Sequence, residues 1–460
     1  MSSSPRSVCP VCLKPIPAEH ETVGDETFLV KTCPDHGAFR TVVWRGEPSF
    51  NSWARPKVPS GPKQAFTSVE RGCPLDCGLC DAHRQHTCTA LIEVTWRCDL
   101  GCPVCFASSG KSAPPDPSME ELGRLFDRVE LASGHCNIQL SGGEPTVRED
   151  LPEIIRLGKA KGFPFIQLNT NGLRLGREPG YAARLAEAGL DSVFLQFDGT
   201  EDHIFQALRG RPLLETKLAA LDALAGAGVG IILVPTLVPG VNDQNLGDIL
   251  RLAVDRSPAV RGVHFQPVSY FGRYPQQPGD DERITLPEIM RGLEAQTGGM
   301  LKAPDFRPPG CEHAFCSFHA NYVVDEAGGL TRLSSGGVCG CTPRPASEGA
   351  DAAKAFVKRQ WSSPDRQLPM AFDAAPDCGA EAGGTEDALD AFIRRAATHT
   401  LAVSAMAFQD CWTLDLERLK GCCIHEVSPD GRLIPFCAYN LTSMGGETLY
   451  RGKCHGPIQS

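Results

Sequence analysis

Nowhere in its 460 residues does the chain hold an apolar run of the length a membrane-spanning helix needs, which is about 18 to 20 residues. Its opening, Met1-Ser2-Ser3-Ser4-Pro5-Arg6, has no apolar core of the kind a secretory leader carries. Positive charge is in short supply as well. Lys and Arg number 45 against 55 Asp and Glu, the net charge is −10, and no basic stripe faces a phosphate backbone. These absences argue against an integral membrane protein and against a nucleic-acid partner, and a cytoplasmic location is expected. What the chain does have is 21 cysteines. In a reducing compartment such a load reads as metal ligands rather than disulfides. The length leaves room for two or three domains.

The cysteines fall into spaced groups. Cys98, Cys102 and Cys105 form a C-x3-C-x2-C loop, bent by Gly101 and Pro103, directly after the apolar run Ala90–Thr95 that reads as a buried strand. Three thiolates hold three corners of a [4Fe-4S] cube and leave the fourth iron without a protein ligand. That vacancy is wanted where a small molecule must bind metal and receive an electron. Zinc more often shows two separated C-x2-C pairs, and zinc or idle thiols are the alternatives here. A second apolar run, Asn137–Leu140, ends in Ser141-Gly142-Gly143-Glu144-Pro145. Its glycines let backbone approach a ligand closely, and Glu144 places an acceptor beside it.

The cysteine triplet after one strand and Gly-Gly-Glu-Pro after the next resemble the radical S-adenosylmethionine (SAM) superfamily. The resemblance implies that the open iron chelates the amino and carboxyl groups of SAM. It also implies that the backbone of Gly142, Gly143 and Glu144, closed by Pro145, receives the amino group. One electron then cleaves the sulfonium to a 5′-deoxyadenosyl radical, which abstracts a hydrogen atom. Val104 stands where the family usually has an aromatic, and Phe106 follows the third cysteine.

Toward the N-terminus, Cys9-x2-Cys12 and Cys33-Pro34-Asp35-His36 match a small ribbon around one tetrahedral ion, zinc or rubredoxin-type iron, over residues 1–60. The other reading of His36 is a residue that caps a turn. So short a segment cannot bury a sufficient core, so the metal must supply folding energy. Pro56, Pro59 and Pro62 mark an extended linker. Over 61–89, Cys73, Cys77, Cys80 and Cys88 are numerous enough to saturate a cube, so this segment reads as an auxiliary [4Fe-4S] site, with a second structural zinc as the alternative. His83 and His86 are expected only to hydrogen-bond nearby.

From 90 to 300 strand and helix patterns alternate, as in parallel βα units. Six such units predict a partial, TIM-like (β/α)6 barrel with ligands at the strand C-terminal ends. Ser118-Met119-Glu120-Glu121 is a capping box opening one of the helices. By the same resemblance Asn169 and Asn171 on the third strand, Gln196 and Asp198 on the fourth, and Arg209 are SAM-binding elements. Gln196 and Asp198 suit ribose hydroxyls, and Arg209 suits the SAM carboxylate. Asn242, Asp243, His264 and Gln266 are expected to face the cleft.

Residues 301–460 are expected to form a C-terminal auxiliary-cluster domain, SPASM/twitch-like, with an irregular insertion at about 342–385. Pro429-Asp430-Gly431 predicts a hairpin whose ends bring Cys423 and Cys437 together. Cys422, Cys411, Cys311 and Cys316 compete for the remaining ligand places, and Cys339, Cys341, Cys378 and Cys454 are read as idle thiols. The whole chain resembles one branch of the superfamily, the class D methylases such as 7,8-dihydro-6-hydroxymethylpterin dimethyltransferase together with tetraether lipid synthase. That resemblance implies three [4Fe-4S] clusters and one mononuclear Fe or Zn, an electron donor such as ferredoxin or flavodoxin, and methyl transfer or carbon–carbon bond formation on a small-molecule or lipid substrate. The alternatives are a peptide-modifying radical enzyme and an electron carrier that does not cleave SAM.

Overall fold

Two sheets organise the computed structural model, which describes residues 5–110, 113–333, 345–364 and 388–453. The smaller is an antiparallel ribbon of β1 (Arg6–Val8), β2 (Pro15–Val23), β3 (Glu26–Cys33) and β4 (Gly37–Arg45), in that spatial order. Its two cysteine-bearing turns lie at the same end. The ribbon is docked rather than free: the Arg45 guanidinium donates to the carbonyls of Asp280 at 2.7 Å and Arg283 at 2.9 Å. Trp44 and Trp53 are buried in the main core.

The larger sheet contains all six expected strands, β5 (Thr89–Thr95), β6 (Asn137–Gly142), β7 (Ile166–Thr170), β8 (Ser192–Gln196), β9 (Gly230–Val234) and, after the short β10 (Thr236–Leu237), β11 (Val260–Pro267). They pair in parallel in chain order. Near-continuous apolar runs suit strands buried on both faces, with helices covering the outside. The first of these helices, Met119–Ser133, buries Leu122, Leu125, Phe126 and Val129. It begins at the expected capping box, where Ser118 Oγ accepts from the Glu121 N–H at 3.2 Å and Glu121 Oε2 accepts from the Ser118 N–H at 2.7 Å.

The C-terminal segment, expected as a domain of its own, is built into this barrel. It adds β12 (Ser317–Val324), β13 (Leu330–Arg332), β14 (Thr400–Met406), β15 (Ile424–Val427) and β16 (Leu433–Pro435). Strand β14 pairs in parallel with β11, and β15 pairs in parallel with β5 on the opposite flank. Six parallel strands plus these two run β15-β5-β6-β7-β8-β9-β11-β14 within the larger sheet, where β14 also pairs antiparallel with β12 and β15 with β16, so that β13 and β16 are its edges among the described residues. Hairpins β12–β13 and β15–β16 end the sheet and turn at Gly328 and Gly431, both at φ +81°.

A further correction concerns the stretch 342–385. Its described part holds a helix, Ala346–Trp361, where an irregular insertion is expected. The alanine-rich run is a good helix former. The helix closes the barrel floor, at the first residues of the strands: Arg261 Nε donates to the Gln360 carbonyl at 2.9 Å, and Gln360 Nε2 donates to the Thr400 carbonyl at 3.1 Å. The ring of Trp361 lies 5.0 Å from that of Phe194. Residues 342–344 and 365–385, together with Cys339, Cys341, Cys378 and Cys454, lie outside the described residues. Among the described residues no helix is long and apolar enough to cross a membrane.

Candidate active site and metal centres

The strand C-terminal ends meet at a cavity of about 230 Å³, with Cys98, Cys102 and Cys105 on one wall. The cysteine loop is pinned from several sides. The N–H of Cys105 donates to the Arg273 carbonyl at 2.8 Å and the Arg273 N–H returns to the Cys105 carbonyl at 3.0 Å. Arg273 Nε also donates to the Cys102 carbonyl at 2.9 Å, and Asn171 Nδ2 donates to Asp99 Oδ1 at 2.7 Å. Burial, with Glu144 and Asp99 nearby, pushes the Cys98 thiol up to about 12. It therefore ionises readily only against a metal cation.

Gly142, Gly143 and Glu144 line the cavity, and the two glycines also permit a close approach within the chain. A Cβ on Gly142 would sit 2.0 Å from the Thr95 carbonyl oxygen, and one on Gly143 would sit 2.1 Å from that of Arg97. The glycines let this turn lie flat against the stem of the cysteine loop, to which the N–H groups of Gly143 and Glu144 donate at 2.8 Å each. The Glu144 carboxylate is also consumed locally. It accepts from Thr146 Oγ1 at 2.6 Å, Thr170 Oγ1 at 2.6 Å and the Asn171 N–H at 2.6 Å, and so ties β6 to β7. Pro145 opens the short 3-10 turn that follows.

Asn169, Asn171, Gln196 and Arg209 line the cavity. The Oδ1 of Asn169 is buried without a partner, an acceptor available to a ligand. Asp198 is not on the wall. It holds Arg209 through a two-point pair, Nε–Oδ2 at 2.7 Å and Nη2–Oδ1 at 2.6 Å, and accepts from the Thr236 N–H at 3.1 Å. Its expected role at ribose is thus replaced by orienting Arg209. Asn242 braces the same strand end, donating to the carbonyls of Asp198 and Thr236 at 2.8 Å each. Gln266 reaches the cavity, whereas His264 lies deeper, bonded to Ser404 Oγ at 2.8 Å.

Three features of the site escape sequence reasoning. Lys217, fully buried, donates to the carbonyls of Asn171 and, at 2.8 Å, Gln196, joining β7 to β8. A lysine in line with Leu213, Ala220 and Leu224 on an apolar helix stripe was the available signal. Arg273 had none. Phe106, Phe271, Phe408 and Phe436 form an aromatic cluster in the cavity lining, with Phe408 and Phe436 centroids 4.5 Å apart.

The metal-ligating residues group as follows. Cys9, Cys12, Cys33 and His36 place their ligand atoms within 4.8 Å of one another, as the ribbon reading expects. Cys73, Cys77 and Cys80 line a small hollow with His83. Their loop is held by Asp76, whose Oδ2 accepts from the N–H groups of Glu70, Arg71 and Gly72 at 2.9, 2.6 and 2.6 Å. Cys88 leaves this expected quartet, because the next residue begins β5 and carries it to the barrel floor. There it lies within 4.8 Å of Cys311 and Cys423. The pairing of Cys423 with Cys437 across the hairpin is likewise corrected: Cys437 has Cys316 and Cys422 as its electrostatic neighbours. His83 bonds the Cys422 carbonyl at 2.8 Å.

Comparison with known proteins follows this geometry. A family model described as the radical SAM superfamily matches residues 92–253, and one described as the HMPTM N-terminal zinc ribbon domain matches residues 1–45. The chain is 34% identical to 7,8-dihydro-6-hydroxymethylpterin dimethyltransferase of Methanocaldococcus jannaschii, across 96% of this chain and 94% of that one. It is 30% identical to GTP 3′,8-cyclase of Rhizobium etli, across 52% of this chain and 65% of the relative. Among solved structures, Streptococcus suis SuiB bound to precursor peptide SuiA superposes with a TM-score of 0.40 at 13% identity, over 47% of this chain and 46% of that one. With ribbon, barrel and C-terminal strands all spanned by the first of these matches, the chain belongs to the radical SAM superfamily, in the family of 7,8-dihydro-6-hydroxymethylpterin dimethyltransferase.

Proposed function

We propose that this chain is a radical SAM enzyme that performs methyl transfer to, or carbon–carbon bond formation at, an unactivated carbon of a small-molecule or lipid substrate. Cys98, Cys102 and Cys105 would hold a [4Fe-4S] cluster, with electrons from a donor such as ferredoxin or flavodoxin. Cluster and SAM together supply a 5′-deoxyadenosyl radical when bound. The residues of the chain do the rest. Asn169 offers a free acceptor, Gln196 and Arg209 offer polar contacts, and the Asp198 pair keeps the Arg209 guanidinium from swinging.

The observation that carries this reading is the mixed lining of the cavity. Thiols and amides share it with four phenylalanines, Phe106, Phe271, Phe408 and Phe436, which group around Phe436. An apolar cluster suits a substrate that presents C–H bonds, and it keeps water from the reacting carbon. The relative of similar length is named as a dimethyltransferase acting on a pterin, and a flat ring or an alkyl chain would each fit against phenylalanine.

The test is anaerobic reconstitution followed by SAM and a strong reductant, with 5′-deoxyadenosine measured chromatographically. Pterin and isoprenoid or alkyl lipids are then offered in turn. A product heavier by whole methyl units supports transfer, and one lighter by two hydrogens per new bond supports coupling. Protein that carries its full complement of iron and sulfide yet releases no 5′-deoxyadenosine would overturn the reading.

A further inference from the structure

We propose that Cys88, Cys311 and Cys423 bind a single divalent ion, zinc or ferrous iron, with Glu312 as the fourth ligand, and that this ion ties the two flanks of the larger sheet together at the barrel floor. The site is separate from the cavity at the mouth and does not depend on the SAM chemistry proposed there.

Spacing argues for one ion rather than a cube. The three sulfurs all lie within 4.8 Å of one another. Thiolates sharing one ion, with metal–sulfur bonds of about 2.3 Å, stand about 3.8 Å apart in a regular tetrahedron. Ligands of a cube attach to different irons and stand farther apart. The molecule contains its own control: among the described residues, this trio and the ribbon quartet meet the close spacing, and the Cys98, Cys102 and Cys105 triplet does not.

Burial and charge agree. Cys88, Cys311 and Cys423 are 7%, 2% and 0% exposed and pack against Ala350 of the floor helix. A closed, dry tetrahedron is the form of a structural site. Glu312 stands outside the close group but brings Oε2 to 4.0 Å from Cys423 Sγ, so that an inward turn of its side chain would complete the shell, and Ser317 Oγ donates to its other oxygen. Three thiolates and a carboxylate around a dication leave an excess of negative charge. Lys57, bonded to the carbonyls of Cys311 and Glu312, and Lys354, within electrostatic reach of Cys88, offset it.

Placement gives the ion its role. Cys88 immediately precedes β5, and Cys423 immediately precedes β15, with the Cys88 N–H donating to the Cys423 carbonyl at 2.9 Å. Cys311 leads into β12, which is zipped antiparallel to β14. The ligands therefore come from both flanks of the sheet, Cys88 and Cys423 from β5 and β15 toward one edge and Cys311 from the lead into β12 toward the other, edges that no ladder joins among the described residues.

The experiment uses the full chain purified without oxygen from zinc-supplemented medium, with metals counted against acid-labile sulfide. Two ions without sulfide are expected per chain, one in Cys9→Ser, one in Cys423→Ala and none in the double variant, with sulfide unchanged throughout. Loss of iron and sulfide together in Cys423→Ala would overturn the single-ion proposal, as would retention of both ions. Should Cys423→Ala not fold, zinc-edge X-ray absorption of the Cys9→Ser protein decides on its own. Three sulfurs and one oxygen are expected, and no bound zinc would overturn the proposal. A four-sulfur shell, or a shell unchanged in Cys9→Ser/Glu312→Ala, would overturn the part given to Glu312.

Discussion

The mouth and the floor of this barrel collect cysteines in opposite ways. At the mouth Cys98, Cys102 and Cys105 come from one short loop, so the spacing along the chain is already the ligand set. At the floor Cys88, Cys311 and Cys423 come from three remote segments and meet only when the sheet is complete. The first arrangement makes a site that the fold carries, and the second makes a site that helps to carry the fold. Emptying the mouth should therefore cost chemistry, and emptying the floor should cost stability.

The largest effect tests the mouth. Cys102→Ala should reduce 5′-deoxyadenosine formation to background while circular dichroism and the sulfide-free metal count stay as in the parent. A variant that unfolds would break the contrast between the two ends. Next is Asp198→Asn, which leaves the Arg209 guanidinium buried without its partner, the two being 0% and 7% exposed. A broken buried pair costs about 3–5 kcal/mol, read by urea denaturation of the reconstituted protein. A loss no larger than that of an exposed pair would show that water reaches Arg209. Gly143→Ala is smaller. The added methyl must push the Arg97 carbonyl away and shift the cysteine stem. A displacement near 1 Å at a reacting centre is worth about 10²-fold in rate, so SAM cleavage should fall by that order with little change in urea midpoint.

What the sequence displayed follows the same division. The six strands, the ribbon ligands and the cysteine loop were legible because period and spacing are local properties. Cys88 was misassigned because it is close to Cys80 along the chain, while the start of β5 fixes it by sheet register at the floor. Asp198 reads as a ribose ligand through the resemblance of its strand-end position to the family's SAM-binding elements. The helix Asp202–Arg209 then folds back and uses its charge. Phe408 and Phe436 could not be placed on the cavity wall, since β14 and β15 flank the barrel only through pairing with β11 and β5. The helix of 346–361 gave little pattern because its apolar face is mostly alanine.

The smallest effect concerns the layer between the two ends. His264 on β11 stands opposite Ser404 on β14, bonds its hydroxyl at 2.8 Å, and stacks on Phe194 with centroids 5.5 Å apart. Burial holds its pKa down to about 4, below the ordinary 6.5. The unfolded chain therefore binds a proton in this window that the folded chain refuses. Stability from this group is complete above about 6.5 and is lost as pH falls toward 4, at up to about 1.4 kcal/mol per pH unit. His264→Gln, which still reaches a hydroxyl and never titrates, should flatten urea-derived stability between pH 6.5 and 5 relative to the parent. Equal slopes would assign the acid loss to the floor, where burial also lowers His313, to about 3, and His425. The same pair of curves thus tells whether this middle layer or the floor gives way first in acid.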